Sequence, residues 1–172
     1  SFSFSFFSFF WTFFFEEKNT NTMAVNRRLN KEYKSFQDNP IDWAKVSIPD
    51  ESNMLKWKAT IMGPEGTPYE GGVFTLDITI PQEYPFKSPE ILFVTQVYHP
   101  NINPENGQFC AEVLRARWSP QLTIQNVLTT LRNLLSDPNL DSPLNAKAGN
   151  DLRSNKAKFE KTAKEWTKKY AK

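Results

Sequence analysis

The sequence has 172 residues, enough for one domain with a buried core. Its 21 Lys and Arg against 19 Asp and Glu give a net charge of +2, which argues against a general nucleic-acid binder, since such proteins need a clustered basic surface. The chain has one cysteine and one histidine, which excludes an intrachain disulfide and argues against a zinc site, for which about four ligands are typical. We therefore expect no bound metal, no nucleic-acid partner and a thiol kept reduced in the cytoplasm or nucleus.

The first 15 residues, SFSFSFFSFFWTFFF, differ from the rest because they hold nine of the 15 phenylalanines and no charge. A membrane span needs about 20 apolar residues, and a signal peptide needs a basic flank and a cleavage site, so the segment fits neither. We interpret residues 1–22 as a non-native or disordered extension, of the kind that a translated pyrimidine-rich tract produces. A hydrophobic anchor or a partner-binding segment is the alternative. Residues 23–172 are then the folded domain, with no membrane partner.

The first element of this domain is a helix, which Pro40 ends. One face is basic, through Arg27, Arg28, Lys31 and Lys34, and is either a solvated surface or a docking surface for an acidic partner. The opposite face carries apolar residues separated by four, four and three positions, the period of a buried helical stripe: Val25, Leu29, Tyr33 and Phe36.

Strands come next. Strict alternation in LKWKATI (55–61) and FTLDITI (74–80) predicts two strands, and the turn-rich GPEGTPYEGG between them predicts antiparallel pairing. A third strand, ILFV (91–94), follows the proline-rich IPQEYPFKSP. Phe86 at the tip of that loop is either a core plug or a protein contact.

Helical patterns return in the last third of the chain. TIQNVLTTLRNLLS predicts a buried central helix with Thr123 as its cap and Pro138 beyond its end. SNKAKFEKTAKEWTKKYA predicts a C-terminal helix, and residues 97–122 have the pattern of a long irregular segment that is ordered and functional. Helix, antiparallel meander and helices together make an α+β domain.

The irregular segment contains both rare residues. Cys110 is either a buried small hydrophobe or a nucleophile, and His99 would be its base in a Cys–His pair. Against that pairing, the residues Pro100 and Asn101 that follow His99 are typical of a turn, in which a histidine usually holds backbone groups.

Several motifs, in order, resemble the catalytic domain of ubiquitin-conjugating enzymes: MGPEGTPYEGGVF, YPFKSP, YHPNI, GQFCAEVL, RWSPQLTI, DPNLDSPLN and AKEWTKKYA. The resemblance covers about Met23 to Lys172 and is greatest to the class that consists of the catalytic core alone, the broad-specificity ubiquitin carriers. It implies an N-terminal helix, a four-stranded antiparallel meander sheet, an active-site loop, and then central and C-terminal helices.

The resemblance also implies roles for site residues. Cys110 would accept ubiquitin as a thioester from the activating enzyme and pass it to a substrate lysine or to a ligase cysteine. Asn101 would stabilise the tetrahedral oxyanion, by about 3 kcal/mol, or hold the loop in shape. His99 and Pro100 would structure that loop, and Asp141 would accept the proton of the incoming lysine.

Three departures from the family pattern lie near these residues. Ser142 stands where many close relatives have a second Asp, which makes it a candidate regulatory residue through phosphorylation. CAEVL replaces the commoner Cys-Leu-Asp-x-Leu, and the loop before Cys110 is one residue longer.

Partner surfaces follow from the same resemblance. It implies ubiquitin, the activating enzyme, ligases of RING type or HECT type, and protein substrates, with no bound cofactor because the activating enzyme uses the ATP upstream. We expect a monomer in the cytoplasm and nucleus. The residues that match activating-enzyme or ligase contacts are Arg28, Lys31, Phe86, Pro120 and Gln121.

Three other functions make different demands on the sequence. A catalytically dead binding module would lack Cys110, and a Cys–His hydrolase would need His99 as its base. An enzyme for another ubiquitin-like modifier remains an alternative, although LRARWSP lacks the acidic insertion found in the form specific for the small ubiquitin-like modifier.

Overall fold

The computed structural model describes the backbone of residues 4–172 and the side chains of residue 20 and of residues 22–172. Most side chains of the predicted extension, residues 1–22, therefore lie outside the described residues, and its interpretation stays a prediction. Within the described part, none of the helices has the length and apolar character needed to span a bilayer.

Five helices and four strands make up the described chain. The helices are α1 (Phe4–Asp38), α2 (Ala111–Ala116), α3 (Ile124–Ser136), α4 (Ala146–Ser154) and α5 (Lys156–Tyr170). The strands are β1 (Ala44–Ser47), β2 (Lys56–Met62), β3 (Val73–Thr79) and β4 (Glu90–Phe93). The predicted order of a helix, a meander and further helices is confirmed.

The strands form one antiparallel sheet in the order β1-β2-β3-β4, as each hairpin connection requires. Alternate residues of the central pair face the core, and the register places Trp57 opposite Ile78 and Ile61 opposite Phe74. All four of these side chains are buried, whereas their neighbours Lys58 and Met62 are exposed. The alternation predicted from the sequence thus separates the residues that face the core from those that face solvent.

The central helix α3 lies in the core against α1 and β2. A capping box begins it: the Thr123 hydroxyl accepts the Asn126 N–H at 3.3 Å and the Asn126 side-chain oxygen accepts the Thr123 N–H at 2.9 Å. This confirms the predicted cap. Each fully buried leucine on the helix contributes roughly 2 kcal/mol of apolar burial. Its buried residues are Ile124, Val127, Leu128, Leu131, Leu134 and Leu135.

Three elements were missed by residue patterns alone. The strand β1 has four residues, too few to show alternation. The helix α2 has six residues and interrupts the segment 97–122 that was predicted to be irregular throughout. The helix α4 is polar, with Gly149 in its interior, so its period is weak.

Candidate active site

Cys110 lies at the junction between an extended segment and the first turn of α2, for which it is the N-cap residue. Its side chain is buried, with 5% of the residue exposed. Its N–H donates to the Asn101 carbonyl at 3.0 Å, and the N–H of Phe109 donates to the Ile91 carbonyl at 3.2 Å. The backbone at Phe109 and Cys110 is therefore held between β4 and the segment that begins at His99.

The loop before Cys110 folds against the edge of β4 through a glycine. Gly107 has a φ of +73°, and a Cβ there would lie 1.9 Å from the Phe93 carbonyl oxygen. The Phe93 N–H donates in turn to the Gly107 carbonyl at 2.8 Å. Only glycine fits this position, so the loop is anchored next to the cysteine.

His99 is fully buried, and both of its ring nitrogens have backbone partners. Nε2–H donates to the Leu134 carbonyl at 2.8 Å, which leaves Nδ1 to accept the Asn101 N–H at 3.0 Å. Burial lowers the pKa of His99 to about 4, so the ring is neutral near pH 7. Because neither nitrogen is available to take a proton from Cys110, this geometry favours the predicted loop-structuring role over the role of base.

Asn101 is also fully buried, and its amide pairs at two points with the backbone of Asn139. Nδ2–H donates to the Asn139 carbonyl at 2.6 Å, and Oδ1 accepts the Asn139 N–H at 2.9 Å. The side-chain oxygen of Asn139 then accepts the Asp141 N–H at 2.8 Å. A chain of hydrogen bonds thus connects Cys110, Asn101, Asn139 and Asp141, three of which were predicted to be catalytic.

Pro100 anchors the same loop to α4. Its carbonyl accepts the Asn145 N–H at 3.0 Å, while the Asn145 side chain caps α4 by accepting the Ala148 N–H at 3.0 Å. The loop is therefore bound at consecutive residues to three other elements.

Asp141 and Ser142 differ from these residues because both are exposed to solvent. The preceding carbonyl of Leu140 accepts a hydrogen bond from the Arg153 guanidinium. Backbone contacts thus hold the position of this segment while the acid and the hydroxyl stay accessible.

The predicted partner residues separate into two groups. Lys31, Pro120 and Gln121 are exposed, and Phe86 has 77% of its surface exposed, so the alternative of Phe86 as a core plug is wrong. Arg28 is half-buried and already engaged within the chain. Four of the five predicted partner residues are therefore accessible to a partner in this structure.

Sequence reasoning missed Asn139 and Glu32. Asn139 follows Pro138, a turn context in which an Asx side chain often bonds nearby backbone, as it does here to Asp141. Glu32, four residues after Arg28 on a basic helix face, is buried and pairs with Arg28 at 2.9 Å. The spacing of four residues between Arg28 and Glu32 is the feature of the sequence that could have indicated this ion pair.

Among the residues that the structure describes, no group of three or more His, Cys, Asp or Glu side chains could hold a metal ion.

Comparison with known proteins gives the same family at the levels of sequence and structure. The family model for ubiquitin-conjugating enzymes matches residues 28–167. A curated ubiquitin conjugating enzyme E2 B from Dictyostelium discoideum is 51% identical over 150 residues, which cover 87% of this chain and 100% of the relative.

Two solved structures share the fold. A candidate ubiquitin conjugating enzyme from Plasmodium yoelii has a TM-score of 0.78 and 46% identity, over 84% of this chain and 93% of that one. The E2 domain of a Toxoplasma gondii ubiquitin conjugating enzyme has a TM-score of 0.77 and 40% identity, over 85% of this chain and 98% of that one. The predicted fold is confirmed, and the chain belongs to the ubiquitin-conjugating enzyme family, whose members are transferases.

Proposed function

We propose that Cys110 carries ubiquitin as a thioester and transfers it, with a ubiquitin ligase, to a substrate lysine or to a ligase cysteine. The observation that carries the proposal is the position of Cys110, the one cysteine of the sequence, at the N-cap of α2 within the domain that matches the family. Its hydrogen bond to Asn101 connects it to the other candidate catalytic residues.

The chemistry has two steps. The Cys110 thiolate attacks the thioester carbonyl of ubiquitin on the activating enzyme, a new C–S bond forms, and the cysteine of that enzyme leaves as a thiolate. A substrate amine then attacks the Cys110 thioester, a C–N bond forms, and Cys110 leaves as a thiolate. The amine loses one proton in this second step. A thioester suits both steps because it is reactive toward thiols and amines.

Asn101 and Asp141 serve the second step. One N–H of the Asn101 amide holds Asn139, and the other can donate to the oxyanion of the tetrahedral intermediate. Asp141 is exposed beside this amide pair, where its carboxylate can accept the proton of the incoming lysine. His99 and Pro100 hold the loop that carries Asn101.

The same proposal includes the partners and the setting. Ubiquitin, an activating enzyme and a ligase are the partners of the family; for this chain we propose ligases of RING type, with HECT type as a second class. The chain binds no cofactor, since ATP is consumed by the activating enzyme. It acts as a monomer in the cytoplasm and nucleus, where a thiol stays reduced.

The deciding experiment is a loading assay. The chain is mixed with activating enzyme, ATP and ubiquitin, and the products are separated on a gel without reductant. We expect a band one ubiquitin heavier that a thiol reagent removes, that is absent in Cys110→Ala, and that becomes thiol-resistant in Cys110→Ser because an oxyester forms. If only another ubiquitin-like protein is loaded, the modifier is wrong; if none is loaded, the proposed function is wrong.

A further inference from the structure

Glu32 is a buried carboxylate that no step of the proposed reaction uses. It lies on α1 with 8% of its surface exposed. Oε1 accepts Arg28 Nε–H at 2.9 Å and the Tyr84 hydroxyl at 2.7 Å, and Oε2 accepts the Ile124 N–H at 2.8 Å. One side chain thus joins α1, the loop that contains Tyr84 and the first residue of α3. The negative charge also suits the N-terminus of that helix.

Two of the groups that Glu32 joins lie in or next to the loops with exposed candidate ligase contacts, since Tyr84 belongs to the first loop and Ile124 directly follows the second. We call residues 81–89 the Phe86 loop and residues 117–123 the Gln121 loop. Arg28 connects the second loop to α1, because its guanidinium donates to the Leu122 carbonyl at 2.7 Å. The same guanidinium stacks 5.1 Å from the centre of the Tyr84 ring.

The two loops also contact each other beside this cluster. The indole N–H of Trp118 donates to the Pro85 carbonyl at 2.8 Å, and its ring lies 5.7 Å from that of Tyr84. Tyr84 precedes the exposed Phe86 by two residues, and Trp118 precedes the exposed Pro120 by two. A shift of Tyr84 or Trp118 therefore changes the distance between the two exposed contacts.

We propose that Glu32 is a positioning residue that holds the Phe86 loop and the Gln121 loop in the relative geometry that a ligase binds. The inference rests on the proposed function and adds the residue that sets its ligase surface. It also gives Arg28 a role through Glu32 and Leu122 rather than by direct contact alone. Since Glu32 touches neither Cys110 nor Asn101 in these hydrogen bonds, its effect is on ligase binding and not on the thioester chemistry.

The cluster requires a carboxylate, because all of its partners are donors. A carboxylate only accepts hydrogen bonds, whereas glutamine must direct an NH2 group at one side. In Glu32→Gln that group faces either the Ile124 N–H or both the Arg28 Nε–H and the Tyr84 hydroxyl, so at least one donor loses its acceptor. The substitution keeps the shape of the side chain and removes at least one of the hydrogen bonds that join α1, the Phe86 loop and α3. Glu51→Gln, at an exposed position outside the cluster, is the matched control.

The first test is amide hydrogen exchange of the full chain by NMR, which needs no ligase. In Glu32→Gln we expect the amides of Phe86 and Leu122 to exchange about tenfold faster, as the loss of a charged hydrogen bond predicts. Amides in the β2–β3 ladder should exchange as in wild type. Equal acceleration in the ladder, or no acceleration in the loops, would overturn the proposal.

The second test measures discharge of loaded ubiquitin to free lysine while an isolated RING domain that stimulates the wild-type chain is titrated. We expect Glu32→Gln to raise the half-saturating RING concentration about tenfold, with the saturated rate and the unstimulated rate within twofold of wild type. Tyr84→Phe, which keeps the ring but removes the hydroxyl, should show a smaller rise in the same direction. An unchanged half-saturating concentration would refute the proposed role in ligase binding.

The two proposals can fail separately. If the wild-type chain forms no thioester, the proposed function is wrong, and the exchange experiment still decides whether Glu32 holds the loops together. If the wild type loads and responds to the RING domain but Glu32→Gln responds identically, only the role of Glu32 is wrong. A fall in loading, unstimulated discharge and ligase response by one common factor would show a general structural role and overturn the proposal.

Discussion

Two loops meet at the active site, and the polar residues predicted for the site are buried in one loop and exposed in the other. We call residues 98–102 the buried loop and residues 138–144 the rim loop. In the buried loop His99 and Asn101 are fully buried, and every hydrogen bond of their side chains goes to backbone groups. In the rim loop Asp141 and Ser142 are exposed. Polar groups in the first loop fix the site, whereas those in the second remain accessible to an incoming amine.

The buried loop should be the more sensitive of the two, beginning with Asn101. Asn101→Ala removes both hydrogen bonds to Asn139, so we expect the free energy of unfolding to fall by about 3 kcal/mol. We also expect discharge to free lysine to fall about 10²- to 10³-fold, since the oxyanion loses a donor. Urea unfolding and single-turnover discharge of the loaded chain measure the two effects.

Asn150→Ala, at an exposed position on α4, is the control and should change neither quantity. If Asn101→Ala unfolds in the assay, discharge is measured at a lower temperature at which the variant stays folded. Normal discharge by a folded Asn101 variant would contradict the catalytic role and leave Asn101 as a structural residue of the loop.

The burial of His99 gives the second prediction, a pH dependence of stability. The folded pKa of His99 is lowered by burial to about 4, against 6.5 for an unperturbed histidine. Between these values the unfolded chain binds a proton that the folded chain does not. Stability from this residue is therefore complete above about pH 6.5 and is lost as the pH falls toward 4, by roughly 3 kcal/mol.

Denaturant titrations at half-unit steps of pH would measure this loss. The informative range is pH 5 to 6.5, since most carboxylates titrate below it. His99→Gln is less stable but should lack the slope in this range, because glutamine does not titrate. The same slope in wild type and variant would show that another group is responsible.

The contrast between the loops also explains what could be predicted from sequence. The helix α3 and strands β2 and β3 were predicted because their apolar residues repeat at the period of their own element. The hydrogen-bond partners of the site residues were not predicted. Asn101 pairs with Asn139 across 38 positions, and Glu32 with Ile124 across 92, and no local pattern reports such pairings.

The rim loop should show the reverse behaviour, with an effect on chemistry and little on stability. We expect Asp141→Asn to lower unstimulated discharge to free lysine about 10- to 100-fold, because the amine loses its proton acceptor. The free energy of unfolding should stay within about 0.5 kcal/mol of wild type, since the side chain is exposed. Single-turnover discharge over a range of pH provides the measurement.

Asp137→Asn, at an exposed acidic residue at the end of α3, is the matched control. Its discharge rate should equal that of wild type. If both substitutions slow discharge equally, the effect is one of surface charge and not of a proton acceptor at Asp141.

Ser142 gives the smallest expected effect, because its side chain is exposed and neutral. A new carboxylate in Ser142→Asp attracts the lysine ammonium by about 0.7 kcal/mol at a separation of about 6 Å in water, which corresponds to a roughly threefold faster discharge. The gain should shrink as salt is added, since exposed charges are screened, and Ser142→Ala should show none. Discharge by Ser142→Asp at the wild-type rate in low salt would exclude regulation by phosphorylation at this residue through its charge. The comparison with Asp141 then separates two roles that an exposed residue of the rim loop can have. A proton acceptor acts at a fixed position, so its effect does not depend on salt. An added charge acts through its electric field, which salt screens.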